Sequence, residues 1–154
     1  MNEHPAHYEI VTEDMISIAA PRQIVFDTFW DLRLWPEITL HVRQIEILDE
    51  SPRFQRFRMT VSGGGREYAI VSERIAHPPN CIHYTQTTPP ELLRRHSGVW
   101  KFADAGEGTV VMLNHFADVE SRPAAFGGPT RLPARSGKSL KPCLSGTDGL
   151  PSRR

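Results

Sequence analysis

Five residues spaced two apart carry the densest chemistry in the chain: Arg66, Tyr68, Ile70, Ser72 and Arg74. Side chains on a strand alternate between faces, so all five share one face, while Glu67, Ala69, Val71 and Glu73 share the other. A guanidinium stays protonated when desolvated, and its fork of donors suits paired carbonyl oxygens. Tyr68 could pass a proton to a developing alkoxide, and Ser72 could hold a water or a carbonyl. Spacing alone gives two even readings of this face: the wall of a cavity, or the solvent side of an ordinary amphipathic strand with Val71 and Ala69 in the core. A tyrosine at the rim of such a strand is as often packing as chemistry.

His96 is the natural acid or base near neutral pH, and it shares a face with Gly98 and Trp100 if their strand begins early enough. Tyr84, Gln86 and Thr88 share a face of one later strand. Met112, Asn114 and Phe116 share a face of the last, which would turn His115 outward. Trp35, Ile38 and Trp100 would supply flat apolar walls, although tryptophan is also a common core residue. No metal is expected: Cys81 and His83, or His4 and His7, are pairs without a second half at ligand spacing. Gly63-Gly64-Gly65 reads as a hairpin loop, since no helix follows to receive a phosphate.

These residues need elements to position them. Residues 14–19 alternate as a half-buried strand ending at Pro21, and Ile24, Val25, Thr28, Phe29 and Leu32 recur at helical spacing to about Arg33. Trp35-Pro36-Glu37 breaks that helix and opens a second short one to about Leu40. Strands then follow over 43–48, 54–61, 67–76, 81–88, 98–103 and 109–119, joined by short loops rich in Pro, Gly, Asp and Asn. Strand, two helices, then consecutive strands argue an α+β domain on a mainly antiparallel sheet.

The domain spans 14–120, after a polar leader over 1–13. Beyond it lies a Pro/Gly-rich basic tail, 121–154, whose composition predicts disorder. Lysine plus arginine balance aspartate plus glutamate at 18 each, so no net field holds nucleic acid or an anionic membrane. No run approaches the roughly 20 apolar residues of a membrane span. The start lacks the flanks of a secretory signal, and the two cysteines, Cys81 and Cys143, suggest no disulfide framework, so a cytoplasmic location is expected.

The landmarks Ala20-Pro21 with Val25-Phe26, Trp35-Pro36-Glu37, Val71-Ser72-Glu73-Arg74, Gly98-Val99-Trp100 and Asn114-His115-Phe116 occur in that order from about residue 14 to 120. In this the chain resembles bacterial aromatic polyketide aromatase/cyclases of the START (SRPBCC) superfamily. The resemblance implies a helix-grip fold: a curved antiparallel sheet of about seven strands with two short helices around a cavity. It also implies that the residue matching Arg74 lies inside that cavity, which turns Arg66, Tyr68, Ile70 and Ser72 toward the ligand, and that Gln86 is a polar cavity residue.

By the same resemblance the expected activity is cofactor-independent aldol cyclisation and dehydration of a poly-β-ketone tethered to an acyl carrier protein. Arg74 would anchor a carbonyl, and Tyr68, Ser72, Gln86 or His96 would relay protons. Arg94 and Arg95 would dock the acidic carrier, and Arg74→Ala should abolish activity with the fold intact. Family members close the sheet with a long terminal helix where this chain has its proline-rich tail, so the open face is expected to pair with a second copy as a homodimer. A non-catalytic carrier of a quinone or lipid is the rival function. An interaction module with a filled core is a third, distinguished by whether the sheet encloses a void of roughly 300 Å³ or more.

Overall fold

The computed structural model describes residues 7–120. The first strand, β1 (Ile10–Ile18), turns at Ala20-Pro21 into helix α1 (Arg22–Trp30). A single 3-10 turn (Leu32–Leu34) leads into the one-turn helix α2 (Trp35–Ile38). Six strands complete the order: β2 (Val42–Ser51), β3 (Phe54–Gly63), β4 (Arg66–His77), β5 (Cys81–Thr88), β6 (Leu93–Ala105) and β7 (Gly108–Val119). They form one antiparallel sheet in the order β1-β7-β6-β5-β4-β3-β2. The two helices therefore carry the chain from one edge of the sheet to the other.

Two elements start earlier than the sequence pattern suggests. β1 takes in residues 10–13 of the polar leader, because an edge strand paired only with β7 needs no apolar alternation; eight of its nine residues are exposed. β6 begins at Leu93 rather than Gly98, which brings His96 into the strand. The expected disorder of 121–154, and whatever occupies the terminal-helix position, lie outside the described residues.

Helix α1 is too short to persist alone in water, where fewer than about 12 residues is marginal. Tertiary packing holds it: Val25 and Phe26 bury against Ala76, Ile82, Phe102 and Val111 of the sheet. The rings of Phe26 and Phe102 meet edge to face at 5.2 Å. A second cluster lies beneath the 3-10 turn, where Leu32 packs on Val42, Phe57, Met59, Val61 and Ile70. Between the clusters the concave face turns polar. The hairpin turns use the expected glycines, with Gly64 and Gly65 at φ 59° and 76°, and Gly106 at φ 62°. Among the described residues no helix is long and apolar enough to cross a membrane.

Candidate functional site

The polar floor begins with Arg74, which is 2% exposed. Burial lowers its guanidinium to about 9, leaving it a cation at neutral pH. Its donors are turned on the chain itself. Nε and Nη2 donate to Gln55 Oε1, Nη2 also to the Trp30 carbonyl at 2.7 Å, and Nη1 to the Phe29 carbonyl at 2.9 Å. Gln55 in turn donates to the Trp30 carbonyl at 3.0 Å. The guanidinium thus caps the carbonyl end of α1, where a cation complements both unpaired oxygens and the helix dipole. Trp30, Trp35 and Phe57 surround it, with ring centroids 4.8, 5.2 and 5.5 Å from its carbon. Its hydrogen bonds to α1 and Gln55 lead us to expect a loss of stability in Arg74→Ala, where the sequence reading expected an intact fold.

Across the next three strands, β5 to β7, a second polar group is arranged differently. Gln86 Oε1 lies 2.8 Å from His96 Nδ1, His96 Nε2 lies 3.2 Å from Tyr84 Oη, and Tyr84 Oη contacts His115 Nδ1. One assignment satisfies the chain: His115 Nδ1–H donates to Tyr84 Oη, Tyr84 donates to His96 Nε2, and His96 Nδ1–H donates to Gln86. Burial pushes the Tyr84 phenol up. Burial, and then His115, draw His96 below the ordinary imidazole value; burial does the same to His115 against the opposing pull of Asp14. Both rings are therefore neutral at pH 7; the His96 lone pair accepts from Tyr84, and that of His115 stays free on Nε2. Gly98 makes room for this row: a Cβ there would stand 2.4 Å from Tyr84 Cε1 and 2.5 Å from the Asn114 carbonyl oxygen.

These groups border a hollow of about 180 Å³. Trp35, Phe57, Met59 and Trp100 form its apolar wall; Ser72, Arg74, Tyr84, Gln86, His96 and His115 form its polar wall. The volume falls below the roughly 300 Å³ of an ordinary ligand pocket. It exceeds the about 150 Å³ that holds a benzene, so the described part has room for one ring.

Of the residues singled out by sequence, the structure brings Trp35, Ser72, Arg74, Tyr84, Gln86, His96 and Trp100 to the hollow. Others lie elsewhere. Tyr68 is 42% exposed and, with Arg66, borders a separate groove beside the β3–β4 hairpin, because both sit at the start of β4, before the strand reaches the hollow at Ser72 and Arg74. Ile70 is buried in the cluster under Leu32, and Ile38 is 55% exposed on α2. Met112 and Asn114 point to the opposite face of the sheet. Their partners Lys101 and Val99 alternate with the inward Trp100 and Phe102, and Asn114 donates instead to Glu13 Oε2 on β1 at 3.1 Å. The same register turns His115 inward beside Gly98, against the expectation. Arg94 and Arg95 both pair with the buried carboxylate of Asp118.

Sequence reasoning missed His115, Gln55, Phe57 and Met59. The two-residue turn at Gly106-Glu107 pairs Ala105 with Gly108 and hence Gly98 with His115, so an inward Trp100 obliges an inward His115. Gln55 was visible as a polar residue on the face of Phe57, Met59 and Val61.

The model of one protein family, described as polyketide cyclase/dehydrase and lipid transport, matches residues 18–134. The bifunctional cyclase/dehydratase of the actinorhodin polyketide synthase from Streptomyces coelicolor is 29% identical over 123 residues, which is 79% of this chain and 39% of that protein. The crystal structure of the di-domain aromatase/cyclase StfQ from the steffimycin pathway superposes with TM-score 0.67 at 29% identity, over 73% of this chain and 38% of that one. A START superfamily protein from Mycobacterium smegmatis shares the fold, with TM-score 0.65 at 14% identity over 77% of this chain and 81% of its own. The chain thus spans about two fifths of the first two relatives. Its helix-grip sheet and the family match over most of its length agree: this chain belongs to the polyketide cyclase/dehydrase and lipid transport family.

Proposed function

We propose that the chain closes and dehydrates one ring of a poly-β-ketone delivered on an acyl carrier protein, with no cofactor. The observation that carries this reading is the hollow with one flat apolar wall and, opposite it, a row of neutral proton-passing groups. A methylene between two carbonyls is already acidic, so a neutral imidazole suffices as base once a carbonyl is polarised. His96 or His115 takes that proton, the enolate carbon attacks a second carbonyl, and Tyr84 returns a proton to the new alkoxide. Loss of that hydroxyl with a further methylene proton gives water and a double bond. Arg74 sits beside the hollow with four of its five N–H donors engaged by the chain, and its fixed positive charge favours the enolate electrostatically. Trp35 and Trp100 keep the ketone chain folded, and orientation supplies most of the remaining barrier.

The relatives support the reading by the activity in their names: a cyclase/dehydratase and an aromatase/cyclase. A carrier of quinone or lipid would want apolar walls all round, and the polar row speaks against it. The experiment mixes the purified chain with a carrier-bound poly-β-ketone and resolves products by mass spectrometry. One dominant ring-closed product lacking a water is expected. The spontaneous product mixture, unchanged by the protein, would sink the reading; tight binding of a quinone without turnover would favour the carrier.

A further inference from the structure

The inner end of the polar row has a second property that acid-base work does not require. His96 Nε2 lies 3.3 Å from His115 Nδ1 and 3.2 Å from Tyr84 Oη, while Tyr84 Oη contacts His115 Nδ1, so three ligand-type atoms form a closed triangle. Two donor atoms on a tetrahedral ion with bonds of about 2.0–2.1 Å stand about 3.3–3.4 Å apart; the two sides that meet at His96 match this, while the Tyr84–His115 side is shorter, so Tyr84 must draw back as an ion enters. The rings are spaced to match. Two imidazoles bound through one nitrogen each place their centroids about 5 Å apart by the same geometry; those of His96 and His115 are 5.4 Å apart, and Tyr84 lies 5.6 and 6.0 Å from them. Gln86 Oε1 at 2.8 Å from His96 Nδ1 is the outer-shell acceptor that leaves the lone pair on Nε2.

We propose that His96, His115 and Tyr84 form a binding site for one divalent transition-metal ion of the zinc or copper type, with the hollow they line as its open fourth position. Imidazole donors suit those ions, whereas magnesium and calcium demand oxygen. The third ligand is a phenol; among the described residues no three His, Cys, Asp or Glu side chains meet in this way. As the ion enters, the His115 proton moves from Nδ1 to Nε2, the Tyr84 O–H bond breaks, Nδ1 and the phenolate oxygen bind the ion, and one proton leaves to solvent. Burial that favours the neutral phenol makes Tyr84 the weakest of the three ligands. A bound ion takes the lone pairs that would accept the substrate proton, so it inhibits. Only this consequence rests on the proposed cyclase function; the binding does not.

The test uses the full chain, stripped with chelator, then titrated with Zn²⁺ by calorimetry and with Co²⁺ by visible absorption. One ion per chain is expected, with the visible bands of tetrahedral cobalt, a tyrosinate band in the ultraviolet and release of one proton. His96→Gln and His115→Gln should each weaken binding about tenfold or more, and Tyr84→Phe should remove the tyrosinate band and the proton release. His83→Gln, at the other histidine pair, His77 with His83, should bind as the parent does. No stoichiometric binding, binding untouched by both histidine variants, or loss on His83→Gln would overturn the site. Should a variant fail to fold, imidazole nitrogen shifts of the parent protein decide: Zn²⁺ must move those of His96 and His115, and their constancy would be equally fatal. Zinc that binds there yet leaves cyclisation unaffected would uphold the site and remove the acid-base role instead.

Discussion

Arg74 and the His96–Tyr84–His115 row share one concave face of one sheet, with Tyr84 the register partner of Arg74, yet their surroundings differ. Arg74 is fully enclosed, with its hydrogen bonds directed at Gln55 and the last carbonyls of α1. The row is about half-buried, neutral, and, among the described residues, bonded to itself and Gln86. A buried charge with every bond returned to the protein stabilises an arrangement. A neutral donor-acceptor row beside a hollow can exchange protons with whatever enters. Residue type alone would rank the arginine as the chemical group; the bonding reverses that order.

Breaking the enclosed side should have the largest effect. Arg74→Ala leaves Gln55 Oε1 without its donor in the interior and takes one donor each from the Phe29 and Trp30 carbonyls, which keep Trp35 Nε1 and Gln55 Nε2, at a cost of about 3 kcal/mol. Thermal unfolding followed by circular dichroism should fall by about 10 °C or more; an unchanged midpoint would show that water replaces the guanidinium freely.

Breaking the row should spare the fold and remove the chemistry. His115→Gln is expected to lower the cyclisation rate about 100-fold with the unfolding midpoint held within about 2 °C. His96→Gln should behave likewise, and the double variant should lose little more than either single one, as parts of one unit do. Additive losses in the double variant would separate the two rings into independent roles.

Gly98→Ala sharpens the comparison because it attacks the row through space rather than through a proton. The new methyl meets the Tyr84 ring and the Asn114 carbonyl, and such crowding costs about 1–3 kcal/mol. Tyr84 should swing from between the histidines, reducing turnover about tenfold. Parent-like turnover would mean that the ring has another place to lie.

The smallest effect belongs to the opposite face. Asn114→Ala removes the bond to Glu13 that ties β7 to β1, worth about 1 kcal/mol, and turnover should stay within about twofold. A large loss of turnover without loss of stability would put Asn114 back in the cavity.

That last residue also shows where the sequence was readable. The two-residue period of β4 was legible, and Ile70, Ser72 and Arg74 bury on it; spacing left two even readings of which face turns inward, and the family resemblance chose between them. How far the hollow reaches along that face was not legible: it depends on where the 3-10 turn and α2 sit, which leaves Tyr68 and Arg66 beyond it. On β7, residues of both faces are largely apolar around Val110–Leu113, so alternation offered two registers and the motif Asn114-His115-Phe116 favoured the wrong one. The commitment of Arg74 to α1 was invisible, since it rests on backbone carbonyls that carry no residue identity. His96 was reachable only through the length of β6, set by its pairing with β7 rather than by its own composition.

The most direct test of the division between the two regions compares Arg74→Lys with His115→Gln, measuring unfolding midpoint and turnover per folded molecule on both. Lysine keeps the charge but cannot span Gln55 and two carbonyls. The account predicts that Arg74→Lys loses about 5 °C or more of midpoint and keeps turnover within about fivefold, while His115→Gln keeps its midpoint and loses about 100-fold in turnover. A stable Arg74→Lys protein without turnover, beside an active His115→Gln, would contradict it and return the chemistry to the arginine.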